Sequence, residues 1–111
     1  MDPSYIVNNL EEIPSPSLLI YEDRVQSNIE RMLQMAGGPN YLRPHVKTHK
    51  MARVIEMKLK AGISKFKCAT LKEARMIAAA GGSDVFIAYQ LVGPNIPRLL
   101  DLMGEYRLAN D

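Results

Sequence analysis

The sequence predicts an α/β fold, the first strand–helix units of a (β/α) TIM-type barrel. Three observations predict it. Strand-like apolar runs alternate with segments of helical periodicity, an order that implies parallel strands joined by crossover helices. A glycine closes each helix and the connections are short. No glycine-rich phosphate fingerprint follows any strand, which favours a barrel over an open dinucleotide-binding sheet. About three barrel strands follow the start of the chain, against roughly 250 residues for a complete barrel, so the 111 residues are expected to form an incomplete one.

Residues 1–17 read as an extended lead-in, because Pro3, Pro14 and Pro16 each interrupt a ladder or helix. The barrel portion is expected over 18–111. Residues 17–21 have strand character, and Glu22-Asp23 ends the run. A helix follows, with Val25, Ile29, Met32 and Ala36 on one face, Asp23 as its cap and Gly37-Gly38-Pro39 as its stop. Residues 41–47 form the next strand. Tyr41, Arg43, His45 and Lys47 then share one face, and Leu42, Pro44 and Val46 the other.

A second helix is expected over 51–61, with Met51, Val54, Ile55, Lys58 and Leu59 on one side and the lysine stem lying along apolar neighbours. Gly62 ends it. Residues 64–69 alternate as a short strand. Thr70-Leu71-Lys72-Glu73 matches a capping box, in which threonine and glutamate satisfy orphan amides at a helix start. Leu71, Ala74, Ile77 and Ala78 form that helix's buried stripe, and Gly81-Gly82 closes it. Residues 84–89 are apolar almost throughout, as in a strand covered on both faces. A last helix after Gly93-Pro94-Asn95 carries Ile96, Leu99, Leu100 and Met103.

Composition excludes several classes. The formal charge of +2 and the lack of an aromatic-plus-basic surface argue against nucleic-acid binding. The longest apolar runs are too short for a membrane span, and acids and prolines in the first twenty residues leave no signal peptide. The single cysteine, Cys68, precludes an internal disulfide and suits a reducing, cytoplasmic compartment.

Both histidines lie in Arg43-Pro44-His45-Val46-Lys47-Thr48-His49-Lys50. The residue types leave four readings open. The cluster is a solvated basic face, a phosphate or nucleic-acid patch, a metal site on His45 and His49, or a covalent site on Lys47. The metal reading is weakened by Pro44, which discourages a helix there, and by the absence of the glutamate of zincin motifs. The covalent reading needs a lysine that is neutral part of the time near pH 7. Neighbouring Arg43 and Lys50 and partial burial in a barrel mouth favour the neutral amine, and catalytic groups of this fold sit at the C-terminal ends of its strands.

That octapeptide resembles the cofactor-lysine motif of the D-threonine aldolase and D-serine dehydratase family. The flanks agree: a Pro-x-Leu-Leu-Ile strand entry at 16–20, Asn-Ile-x-x-Met at 28–32, Cys-Ala-Thr-x-x-Glu-Ala at 68–74, and a third-strand pattern at 82–89. The similarity runs from Pro16 to about Arg107. It implies a barrel of the alanine-racemase kind and a pyridoxal 5'-phosphate enzyme, with this chain its N-terminal part.

By the resemblance, Lys47 holds the cofactor as a Schiff base and, once freed, serves as base at the substrate's Cα. His45 and Arg43 are inward-facing, cofactor-binding neighbours that tune it, and Gln90 faces the cofactor. Thr48 and His49 either contact the substrate or make loop hydrogen bonds. Tyr41 is barrel packing and Cys68 a small buried residue rather than a nucleophile.

The implied reaction is cleavage of D-β-hydroxy amino acids, D-threonine to glycine and acetaldehyde in preference to D-serine dehydration. The alternatives are a racemase on the same barrel, a non-catalytic cofactor-binding protein or a truncated product. The phosphate grip and a divalent metal (Mn, Mg or Zn) are expected in a C-terminal part outside this chain, which alone is expected to be inactive. The whole protein is expected to be a homodimer acting on a small D-amino acid without nucleic-acid or membrane partners. Open barrel edges make self-association of the short chain an expectation.

Overall fold

The structure, a computed structural model, describes residues 6–106 and 109–110, the last two as backbone. Residues 1–5 of the expected lead-in and 107, 108 and 111 of the expected barrel portion lie outside the described residues. Among the described residues four α-helices and three short strands follow one another as α1 (Glu22–Ala36), α2 (Ala52–Lys60), β1 (Lys65–Cys68), α3 (Leu71–Ala80), β2 (Asp84–Ile87), α4 (Asn95–Tyr106) and β3 (Ala109–Asn110).

The strands are parallel in the order β1-β2-β3. A further extended segment, residues 42–46, lies parallel on the free side of β1. There the Val46 N–H donates to the Lys67 carbonyl and the Lys67 N–H to the Pro44 carbonyl, both at 2.9 Å, which pairs His45 with Lys67. Strand–helix–strand crossovers in parallel order are the repeating unit of a (β/α) barrel. The described part is an arc of such a barrel.

Local chemistry explains the elements. At the end of α1, Gly37 takes the left-handed conformation (φ 89°), and the Gly37 and Gly38 amides both donate to the Leu33 carbonyl. The capping box forms at α3: the Glu73 N–H donates to Thr70 Oγ1 at 3.1 Å, while Glu73 Oε1 accepts the Ala69 N–H at 3.0 Å. Gly82 follows α3 because a Cβ there would collide with Ile77 Cγ2.

The core lies between the sheet and the helices. Phe66 and Cys68 of β1 and Val85 of β2 point into it, beside Val46, Ile55, Ile63, Ala74, Ile77 and Leu102. Each large apolar side chain so buried contributes roughly 1.5–3 kcal/mol. Lys58 is buried with them, as the α2 pattern implies, and burial pushes its ammonium below the ordinary lysine value. No described helix is long and apolar enough to cross a membrane.

Several expectations fail locally. Residues 17–21 form no strand: Leu18 is 77% exposed, and no described segment lies beside them to complete a ladder. Tyr41 ends a 3-10 turn (Pro39–Tyr41) and is exposed rather than packed in a barrel. Asp23 lies inside the first turn of α1, whose cap position falls to Tyr21. The run 84–89 is covered on one face only, and Phe86 is exposed on the other. In α4 the buried residue is Leu102, and Ile96 and Leu100 face outward. Apolar content alone does not tell a covered face from one left open by the absence of neighbouring strands.

Candidate active site

The register fixes what faces the open side of the sheet. Phe66 pairs with Val85 and both point to the helices, so the alternate residues point the other way. One row is then Arg43, Lys65 and Asp84, and the next is His45, Lys67 and Phe86. The Lys67 ammonium lies over the Phe86 ring, 5.9 Å from its centroid. Lys47 follows one step beyond His45, at the C-terminal end of the sheet. Of the two faces read from the sequence, the division of Arg43 and His45 from Val46 is the one observed, since Val46 is fully buried.

The extended run stops at Val46 rather than Lys47. Residues 47–49 form a turn closed by the Lys50 N–H donating to the Val46 carbonyl at 2.9 Å. Lys47 and Thr48 are exposed. The Lys47 N–H donates to His45 Nδ1 at 3.1 Å, so the neutral imidazole carries its proton on Nε2. No carboxylate of the described residues pairs with the Lys47 ammonium.

His49 turns back toward the fold. Its Nδ1 accepts the Met51 N–H at 3.0 Å, and its buried Nε2 has no partner among the described residues. Burial and the nearby Lys58 charge hold His49 below the ordinary histidine value, so it is kept neutral.

Both cations expected to act on Lys47 are engaged by acids. Arg43 Nη1 meets Asp84 Oδ1 at 2.8 Å and donates to the Phe66 carbonyl at 3.1 Å. Its guanidinium therefore reaches across β1 to β2 and ties three extended segments at the end of the sheet away from Lys47. Arg43→Met is expected to lower unfolding free energy by about 1–2 kcal/mol in urea titrations, while the Lys47 amine keeps its reactivity. Unchanged stability would show that the tie contributes nothing.

Lys50 Nζ lies 3.6 Å from Glu73 Oε2. Glu73 is 2% exposed. Burial works to raise its carboxyl, but the Ala69 amide, the Thr70 hydroxyl and the Lys50 ammonium outweigh it and hold the group below the usual carboxylate value of 4.5. A folded-state value below the unfolded one makes these bonds stabilising at neutral pH. That contribution is lost as pH falls through the folded value.

Gln90 is exposed on the same end of the sheet, where it lines a cleft of about 340 Å³ with Ala69, Thr70, Tyr89, Asn95 and Arg98. Lys47 and His45 are not among the residues lining that cleft. Cys68 is fully buried and its thiol is pushed up to about 11 by burial and the Glu73 charge. It is no nucleophile. The sequence reading left Glu73 as a helix cap and did not connect it with Lys50. The only sequence signal was a capping-box acid one strand–helix step beyond a lysine-rich turn.

Pyridoxal 5'-phosphate fits part of this arrangement. An accessible, acid-free amine suits its aldehyde, and the Lys67 ammonium on the inward face suits its charge. Among the described residues no group of three or more His, Cys, Asp or Glu is placed to hold a metal ion.

Parallel strand–helix units with an accessible lysine at the C-terminal end of the sheet define a segment of a (β/α) barrel. The chain belongs to the family described as alanine racemase, N-terminal domain, whose model matches residues 20–104. It is 38% identical over 96 residues to D-threo-3-hydroxyaspartate dehydratase of Delftia sp. (strain HT23), covering 86% of this chain and 25% of that enzyme. It is 31% identical over 97 residues to D-threonine aldolase of Arthrobacter sp, again covering 86% of this chain and 25% of the relative. The chain thus spans about a quarter of the length of these relatives. The solved structure of the Delftia sp. HT23 dehydratase superposes with a TM-score of 0.72 at 38% identity, over 84% of this chain and 25% of that one. A variant of that enzyme solved in the metal-free form superposes equally, with a TM-score of 0.72.

Proposed function

We propose that this chain supplies the cofactor lysine of a pyridoxal-phosphate-dependent lyase acting on D-β-hydroxy amino acids. The observation that carries the reading is the placement of Lys47: an accessible amine, free of carboxylate partners among the described residues, one step past the last paired residue on the inward face. When bound, pyridoxal phosphate supplies an electron sink for the bond broken at the substrate's Cα. Lys47 is the residue that would hold the cofactor through its aldehyde, and its amine stands ready to act as base at the substrate's Cα. His45 orients the Lys47 backbone through its Nδ1, and Thr48 is exposed beside Lys47 in the same turn. Arg43 acts through the sheet rather than on the reacting atoms.

Dehydration is the favoured reaction, because the dehydratase shares 38% of aligned residues with this chain against 31% for the aldolase. This reverses the preference drawn from the motif alone, which put aldol cleavage first. Aldol cleavage remains the second reading, on the strength of the aldolase similarity. In both readings the phosphate grip and a divalent metal come from residues outside those described. The existence of a metal-free form of the related dehydratase supports a metal there.

The test uses the longest polypeptide encoded with this segment, supplied with pyridoxal phosphate and a divalent metal. From D-threo-3-hydroxyaspartate, loss of water and hydrolysis of the resulting enamine should release oxaloacetate and ammonia. Glycine from D-threonine with no oxaloacetate from hydroxyaspartate would move the assignment to the second reading. Formation of L-amino acids alone would contradict both.

A further inference from the structure

Among the described residues Lys50 is the one non-glycine residue with positive φ, at 52°. A left-handed backbone at a side chain of this size persists where its surroundings hold it. Two contacts hold it here. Its N–H closes the 47–49 turn on the Val46 carbonyl at 2.9 Å, and its ammonium reaches Glu73 Oε2 at 3.6 Å. Glycine would suit the backbone better, but it would leave the Glu73 carboxylate, 2% exposed, without its cation.

Glu73 is itself pinned, with Oε1 on the Ala69 N–H at 3.0 Å and its own N–H on Thr70 Oγ1 at 3.1 Å. A rigid acid at the start of α3 therefore grips the far end of the turn that begins with Lys47. At the near end, Val46 is fully buried and hydrogen-bonded to Lys67. The turn is fastened at both ends and leaves Lys47 and Thr48 exposed between them.

We propose that Lys50 and Glu73 form a strap that sets the direction of Lys47, and that both are positioning residues for its reaction with the cofactor. The proposal rests on the reading of Lys47 as the cofactor lysine. The strap fixes the backbone from which the amine projects, and small displacements of a reacting group cost large factors in rate. Lys50 is thus kept as lysine for its charge at a position where the backbone prefers glycine.

Three variants separate this from a role in stability alone. Lys50→Gly relieves the backbone and removes the charge. Glu73→Gln keeps the capping box, since glutamine serves there as well, and removes the opposite charge. Lys50→Arg restores the cation. The 111-residue chain is incubated with pyridoxal phosphate, reduced with borohydride at timed intervals, and the Lys47 peptide quantified.

The expected result is labelling slowed roughly tenfold or more in Lys50→Gly and Glu73→Gln and recovered in Lys50→Arg. Labelling of Lys47 in Lys50→Gly at the wild-type rate would overturn the strap. Failure of the wild-type chain to label at Lys47 would instead refute the cofactor reading. The strap is then judged without cofactor, by amide hydrogen exchange over residues 46–51. Faster exchange in Glu73→Gln supports it, and unchanged protection overturns it.

Discussion

Lys47→Ala abolishes turnover in the longest polypeptide that carries this segment, with a loss on the order of 10³-fold or more. The same substitution removes the absorbance that marks cofactor held on an amine. It also leaves borohydride labelling spread at low level over the lysines other than the buried Lys58. The size of the effect follows from the two tasks assigned to one atom. On the proposed function the Lys47 amine would both hold the cofactor and move the Cα proton, so no neighbouring group would compensate for its loss. His45 is engaged with the Lys47 N–H, Lys50 with Glu73, and His49 is turned toward Met51. Folding should be nearly untouched, because Lys47 is exposed and makes no side-chain ion pair among the described residues. Unchanged far-UV circular dichroism alongside lost turnover is the expected pair of observations.

Phe66→Ala acts in the opposite way, on the fold and through it on the site. Phe66 is fully buried in the centre of β1, against the helices, and its carbonyl accepts from Arg43. Truncation of such a side chain costs about 3–5 kcal/mol through lost burial and the cavity left behind. Natural domains are stable by roughly 5–15 kcal/mol. An incomplete barrel, with one sheet face open among the described residues, belongs at the lower end of that range. Urea titration followed by circular dichroism should therefore show a chain largely unfolded in buffer or close to it. A shift of less than about 1 kcal/mol would mean that β1 is not the central strand of the core.

The helices were the most legible part of the sequence. The heptad-like spacing of α1, the glycine stops at Gly37, Gly62 and Gly81, and the Thr70–Glu73 capping box are local devices, and each appears where the pattern put it. β1 was legible too, because alternation over four residues reports one covered face. What failed depends on partners distant in the chain. Residues 17–21 carry strand-forming side chains, yet a strand exists only beside another. Phe86, Ile96 and Leu100 carry core-type side chains on faces that no described residue covers.

The site divides in the same way. The motif named Lys47 and His45; the bridge to Lys67 puts His45 on the inward face, and a turn carries Lys47 just beyond it. The motif also made Arg43 and Lys50 neighbours of Lys47 in sequence. Their acid partners, Asp84 and Glu73, lie 41 and 23 residues on, and no local pattern shows such pairings. Gln90 was placed by analogy with the family, and it lines a cleft with Thr70, Asn95 and Arg98.

The central claim is that Lys47 is the amine that takes the cofactor's aldehyde, and direct mapping of the fixed adduct tests it. The 111-residue chain is equilibrated with pyridoxal phosphate at neutral pH, reduced with borohydride, digested, and every lysine-containing peptide quantified by mass spectrometry. The account predicts that the phosphopyridoxyl label concentrates on the peptide containing Lys47, ahead of Lys50, Lys60, Lys65, Lys67 and Lys72, with the buried Lys58 unlabelled. A label distributed evenly over the exposed lysines, or concentrated on Lys50 or Lys67, would contradict it.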